Sequence, residues 1–113
     1  MKKIEEQIQL SELKKMAKRM FGDLVKAVVD VDQEIVVVDA ELHADQEQQL
    51  LENGSKQENL WGINLYPEIK GDDFIEFDSM INLRPSQGNR SRGIDDPKTR
   101  KKIRQIISRI VKR

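Results

Sequence analysis

Residues 84–93 form a loop with almost no apolar content and carry the groups best suited to binding an anion. The candidate ligand contacts are Arg84, Gln87, Asn89, Arg90, Ser91 and Arg92. A guanidinium group binds phosphate or carboxylate through two parallel hydrogen bonds. Gly88 and Gly93 allow backbone N–H groups to approach an anion closely. The segment therefore predicts a binding site for a ligand that bears a phosphate or a carboxylate.

The same arginines have an alternative structural interpretation. They could form ion pairs with Glu76, Asp78 or Asp95 and so hold the loop in place. No Gly-x-x-x-x-Gly-Lys-Ser/Thr or Gly-x-Gly-x-x-Gly pattern is present, which disfavours nucleotide binding by those two routes. The sequence leaves the anion site and the pinned loop equally open.

A second polar group occupies residues 39–45. If a strand continued past Asp39, alternate side chains would place Glu41, the only histidine, His43, and Asp45 on one side. Imidazole with carboxylates suits Mn²⁺, Fe²⁺ or Zn²⁺, or general acid–base catalysis near neutral pH. His43, Asp45 and Glu41 are thus the candidate catalytic residues, and the pattern specifies no metal or cofactor. The alternative is that His43 and Asp45 only cap a short helix.

The elements that position these groups follow from hydrophobic periodicity. The expected order is α-β-β-α-β-β-α in a single domain over residues 1–113. The pattern predicts an α+β fold with a four-stranded, mainly antiparallel sheet and helices on one face. The predicted elements are a helix capped by Ser11 and ended by Gly22, strands at 25–31 and 35–38 joined by an Asp32-Gln33 hairpin, a helix from Asp45 to Asn53, strands at 61–66 and 75–84, and a last helix opened by Asp96 and Pro97.

Alternation along residues 75–84 predicts a polar sheet face. Ile75 and Phe77 would face the helices, whereas Glu76, Asp78, Asn82 and Arg84 would share the opposite face with Asn64 and Tyr66. That face is too polar for a core layer. It is either hydrated or forms the floor of a site.

Composition limits the class of protein. Apolar residues make up 37% and charged residues 35% of the chain, so the core is modest and the surface heavily charged. The absence of cysteine excludes disulfides and thiol chemistry. The amino terminus lacks an apolar signal region, and no apolar run approaches the length of a membrane span. We expect a cytoplasmic protein that does not enter the membrane.

Charge is segregated along the chain although the net charge is zero. Residues 1–22 carry a net charge of +3, residues 23–83 carry −12 and residues 84–113 carry +9. A non-catalytic interaction module is therefore the alternative function, with an acidic face for a protein or a basic last helix for nucleic acid. Self-association between unlike faces is a further option. Nucleic acid is less favoured than a small anion because the sheet segments are acidic and offer no basic stacking platform.

The chain resembles a family of small prokaryotic proteins catalogued as a domain of unknown function. The resemblance is carried by residues 20–30, 41–45, 61–67 and 75–93, including Trp61-Gly62-Ile63-Asn64-Leu65-Tyr66-Pro67 and the polar segment itself. It spans nearly the whole chain. It implies no activity, cofactor or partner, so the functional expectations depend on the residues alone.

Overall fold

A computed structural model describes all residues from Met1 to Arg113. In chain order the elements are β1 (Lys2–Ile4), β2 (Ile8–Gln9), α1 (Leu10–Met20), β3 (Val25–Asp30), β4 (Ile35–Val38), α2 (His43–Glu52), β5 (Leu60–Leu65), β6 (Ile75–Glu76), α3 (Pro97–Ile110) and β7 (Val111–Lys112). Five strands form an antiparallel sheet in the order β1-β4-β3-β5-β6, and β2 pairs with β7 in a small parallel ribbon. The α+β prediction is confirmed, but the sheet has five strands rather than four.

The helices lie on both faces of the sheet, and the prediction of a single covered face is wrong. Helices α1 and α3 pack against Ala27, Val29 and Ile63 on one face. Helix α2 contributes Leu50 to a smaller core with Val28 and Val37 on the other face. Both faces of β4 are therefore buried, which explains its continuous run of β-branched apolar residues. No helix combines the length and the apolar content that a membrane span requires.

The sequence pattern did not predict β1, β2 or β7, and β1 is the one of these that belongs to the five-stranded sheet. Ile4 is the only buried residue of β1, and it lies opposite Val36 of β4. Lys2 and Lys3 beside it are exposed, so the strand has no alternation to detect. Charged residues on a short edge strand also discourage pairing with another chain.

The helix-end signals at Gly22 and Asp96 fit the structure, whereas those at Ser11 and Asp45 do not. Helix α2 begins at His43, after Leu42 and without a side-chain cap, so Asp45 lies within its first turn. Gly22, at φ 94°, donates its N–H to the Ala17 carbonyl and ends α1 as expected. The side chain of Asp96 accepts from the Lys98 N–H at the start of α3, and Pro97 follows it. Ser11 is not a cap, because α1 begins at Leu10, directly after β2 pairs with β7.

The hairpin between β3 and β4 is longer than predicted. Asp30 pairs with Ile35, so four residues form the turn rather than Asp32 and Gln33 alone. The buried carboxylate of Asp30 accepts from the N–H groups of both Asp32 and Gln33. The turn is therefore shaped by a side chain, and Glu34 takes a positive φ of 58° to rejoin β4.

The predicted strand over residues 75–84 is wrong beyond Glu76. The buried side chain of Asn82 accepts from the Gly62 N–H at 2.8 Å and donates to the Gly62 carbonyl at 2.9 Å. It takes the place of a neighbouring strand at that point of β5. A Cβ on Gly62 would lie 2.5 Å from the Cβ of Ser79, so only glycine allows this close approach. The polar face predicted from alternation is thus real for Glu76 and Asp78 but does not continue to Arg84.

Candidate functional site

One polar cavity lies where α2 leaves the sheet uncovered. We call it the sheet-face cavity, and its volume is about 360 Å³. Its polar lining consists of Lys26, His43, Asn64, Glu76, Asp78, Ser79 and Arg92. These residues come from β3, the first turn of α2, β5, β6, the segment after it and the polar loop. The fold therefore brings part of the 39–45 segment and part of the 84–93 segment to one place.

His43 lies at the amino-terminal end of α2 and is 7% exposed. Its Nε2 lies 2.8 Å from the carbonyl oxygen of Ile63. Because a carbonyl only accepts, Nε2 carries the hydrogen, and Nδ1 of the neutral ring is left as an acceptor. Burial is the main cause that lowers the pKa of His43, and the charges of Lys26 and Arg92 act in the same direction. The imidazole is therefore uncharged at neutral pH and suited to accept a proton.

Lys26 is the cation that the sequence analysis missed. It is the one charged residue between the apolar residues Val25 and Ala27, and that interruption was its only signal. Its Nζ lies 5.3 Å from the ring centroid of Phe21, and no carboxylate forms an ion pair with it. The cavity thus has a cation that forms no ion pair within the protein.

Arg92 is the loop arginine that reaches the cavity. Its Nε donates to Oδ1 of Asp78 at 2.7 Å, and both side chains are about half exposed. No protein group accepts from its terminal nitrogens, so two donor groups remain for a ligand. Ion pairs with this exposure contribute little stability, because water screens them.

The acidic wall of the cavity is ordered by hydrogen bonds. Asn64 donates to Oε1 of Glu76 at 2.9 Å and to the Asp78 carbonyl at 3.3 Å. The Tyr66 hydroxyl donates to the same Glu76 oxygen at 3.0 Å. Burial, followed by Glu76, raises the pKa of Tyr66. The amide oxygen of Asn64 is buried without a donor, which is uncommon in folded proteins.

Arg84 lies elsewhere and is engaged with the protein. It is 8% exposed and donates to the carbonyl oxygens of Gln57 and Leu60. Its guanidinium carbon lies 4.1 Å from the Trp61 ring centroid. Burial lowers the pKa of Arg84, with Glu47 opposing that shift. These contacts give Arg84 a structural role in the loop, while its Nε is buried without an acceptor. The ligand contact stays a prediction.

Asn89 also holds the loop together. Its amide nitrogen donates to the carbonyls of Asn82, Ser91 and Gly93, and its oxygen accepts from the Asp95 N–H. It is 4% exposed. Such a fully used side chain has nothing left to offer a ligand.

Of the remaining candidates in the loop, one is hydrogen-bonded within the protein and two are exposed without a side-chain hydrogen bond. The Asp95 carboxylate accepts from the Ser91 hydroxyl at 2.6 Å and from the Arg90 N–H at 2.8 Å, and these bonds lower the pKa of Asp95. The side chains of Gln87 and Arg90 are exposed and make no hydrogen bond, but neither lines the cavity.

The convergence expected over residues 39–45 does not form. The strand ends at Val38 and Asp39 takes a positive φ of 67°, so the alternation stops there. Asp39 pairs with Arg19 at 3.3 Å. Glu41 and Asp45 are exposed and do not line the cavity. Nowhere do three histidine or acidic side chains gather as a metal site would require.

Comparisons with known proteins give a family. No curated protein and no solved structure matches the chain. The family profile that does match covers residues 2–110, and so includes every residue of the sheet-face cavity. The chain belongs to the family described as a protein of unknown function, DUF5674.

Proposed function

We propose that this protein binds a small ligand bearing a phosphate or a carboxylate in the sheet-face cavity. The observation that carries the proposal is the meeting of His43, Arg92 and Lys26 on one cavity, although they are far apart in the sequence. Two of these side chains are cations and the third is a neutral imidazole at neutral pH.

The electrostatics favour an anion beside His43. Burial is the main cause of the lowered pKa of His43. Among the charges, Lys26 and Arg92 lower that pKa and Asp78 raises it, so the positive potential of the two cations reaches the ring but is partly offset by Asp78. An anion placed there would be attracted by both cations. The unused terminal nitrogens of Arg92 can bind two of its oxygens in parallel.

The acidic wall restricts the rest of the ligand. Glu76, Asp78 and the oxygen of Asn64 are acceptors, so they favour hydroxyl or amino groups on the ligand body. A ligand with an anionic end and a donor-bearing end fits this arrangement better than a bare anion. The cavity volume lies within the range of small-molecule sites.

A catalytic role would fall to His43. Its neutral Nδ1 could take a proton from a ligand hydroxyl, the role that the sequence predicted for it. Its predicted partners Glu41 and Asp45 lie outside the cavity, and Glu76 and Asp78 are the acidic residues that share the cavity with it. Binding is the function that we propose, and proton transfer would be an extension of it.

The interaction-module alternative has one specific observation in its favour. Leu42 and Met80 flank the cavity and are 55% and 63% exposed. A contiguous exposed apolar patch rimmed by polar groups marks a surface that binds another protein, and these two side chains would form the centre of such a patch. Replacing both with serine should leave small-anion binding intact if a protein partner alone uses them.

The experiment follows the Hε1 NMR signal of His43, which is the only histidine. A panel of inorganic phosphate, phosphorylated metabolites and hydroxy or amino acids is titrated while the pKa of His43 is measured. A bound anion should raise that pKa, because negative charge favours the imidazolium. It should also raise the melting temperature, since a ligand at about 100 times its Kd adds about 2.7 kcal/mol.

Matched variants locate the response. Lys26→Gln with Arg92→Gln should remove it, whereas Lys98→Gln with Lys101→Gln deletes two exposed cations of α3 and should not. The single change Arg90→Gln decides whether that exposed arginine contributes as the sequence predicted. A panel without any response, or a response that survives in the Lys26/Arg92 variant, contradicts the proposal.

A further inference from the structure

A second cavity lies on the other side of β6, between α3 and the segment that leads into β6. We call it the helix-edge cavity, and its volume is about 460 Å³. The alternation of β6 separates the two cavities, since Ile75 lines this one and Glu76 lines the sheet-face cavity. They share no lining residue.

One part of the wall of the helix-edge cavity is apolar. Phe74 and Ile107 are buried, and Ile75 and Val111 are half-buried beside them. Such a concave apolar surface favours a ligand body that loses its own contact with water.

Two arginines with no acidic partner line the same cavity. The guanidinium carbon of Arg104 lies 5.0 Å from the Phe77 ring centroid, and that of Arg113 lies 5.1 Å from the Phe74 ring centroid. Neither forms an ion pair, although Asp72 also lines the cavity. The aromatic contacts restrict both guanidinium groups before any ligand arrives, which lowers the entropy cost of binding.

Other cations of the same region show the contrast. Lys102 and Arg109 bind Glu34 at 3.0 Å and 3.1 Å, so their charges are neutralised within the protein. Arg104 and Arg113 form no such pair, so they are available to the anionic group of a ligand. The exposed hydroxyl of Ser108 lies between them along the chain and makes no hydrogen bond within the protein.

We infer that the helix-edge cavity binds an amphiphilic anion, a carboxylate or phosphate attached to an apolar body. The anionic group would contact the guanidinium groups of Arg104 and Arg113, and the apolar body would cover Phe74 and Ile107. Neither a bare anion nor an uncharged apolar molecule would use both halves of the cavity. This site is independent of the sheet-face cavity and of its ligand.

The test measures binding of octanoate and octyl phosphate by calorimetry, with acetate, inorganic phosphate and octanol as partial probes. Both amphiphiles should bind, and the affinity of each partial probe should be at least about tenfold lower. A preference for octyl phosphate would point to a phosphoester source and a preference for octanoate to a free carboxylate. If octanol binds as tightly as octanoate, the inference is overturned, because the arginines would then contribute nothing to the affinity.

Variants assign the response to the cavity. Arg104→Gln with Arg113→Gln should weaken octanoate at least about tenfold, because both charged contacts are lost. Ser108→Phe keeps both arginines, projects into the cavity and should also abolish binding. The Lys98/Lys101 double variant removes equal charge from α3 and should bind normally. If short RNA binds and loses affinity in the Arg104/Arg113 variant while octanoate never binds, the basic helix serves nucleic acid and the inference fails.

Discussion

Arg84 and Arg92 belong to the same loop, eight residues apart, yet the fold uses them in opposite ways. Arg84 is buried, stacked on Trp61 and bonded to two carbonyls, whereas Arg92 is half exposed and keeps two unused donor groups. We call Asn82, Arg84 and Asn89 the loop core, because the side chain of each forms hydrogen bonds with backbone groups of other segments or of the loop itself. The comparison of the loop core with the sheet-face cavity shows that polarity alone does not mark a site. We select Arg92 as a ligand contact because its terminal donors are both unused and exposed, whereas the unused Nε of Arg84 is buried.

The largest expected effect comes from the loop core. Asn82→Leu removes the partners of the Gly62 N–H, the Gly62 carbonyl and the Arg92 carbonyl. A buried polar group left without a partner costs about 1–3 kcal/mol, so the total loss should be about 3 kcal/mol or more. Urea unfolding measures it. By contrast, Arg92→Gln should cost no more than about 0.5 kcal/mol, as for other exposed ion pairs.

Equal losses in the two variants would break the comparison. That result would mean that the loop is held as much by the Arg92–Asp78 pair as by Asn82. Asn82→Asp is a useful intermediate, since it keeps an acceptor for the Gly62 N–H but loses both donors to carbonyls.

The sequence could predict the loop core and the sheet-face cavity only where the interacting residues are close together along the chain. Periodicity within a segment predicted α1, β3, β4, β5 and α3, because each has its own apolar stripe or run. It failed after Glu76, where the Asn82 side chain replaces a strand. Nothing within residues 75–84 reveals that Asn82 meets Gly62, twenty residues earlier.

Prediction of the candidate site residues was limited in the same way, because local patterns do not show which residues meet in the fold. His43 and Arg92 could be selected by residue type, and both line the sheet-face cavity. Arg84 was selected on the same grounds, but its carbonyl partners are 24 and 27 residues away and are invisible to a local pattern. Lys26 was missed because it belongs to a strand that otherwise reads as core.

An intermediate effect is expected from pH. Burial holds the pKa of His43 below its ordinary value of 6.5, so the unfolded chain binds more protons in the window below that value. The stability that His43 contributes should be complete above about pH 7 and should be lost as the pH falls through the folded-state pKa. Each unit of pKa difference corresponds to about 1.4 kcal/mol.

Urea unfolding between about pH 7.5 and about pH 5 measures this loss, with His43→Gln as the reference that does not titrate. Glu34, Asp95 and Asp96 all have lowered pKa values, so they stay ionised in the folded protein throughout that window. If the wild type and the variant show the same slope, His43 is not the group that senses pH.

The smallest expected effect has the opposite sign and tests the cavity most directly. Asp78 accepts from Nε of Arg92, so its negative charge lies beside the terminal nitrogens that would bind an anion. Asp78→Asn removes the competing charge while keeping a similar shape. The affinity for an anion found with the His43 signal should then rise a few-fold, about 0.5–1 kcal/mol, which is the usual contribution of a half-exposed pair. Loss of binding instead would show that Asp78 positions Arg92 for the ligand, and the cavity would then resemble the loop core in depending on a fixed arrangement.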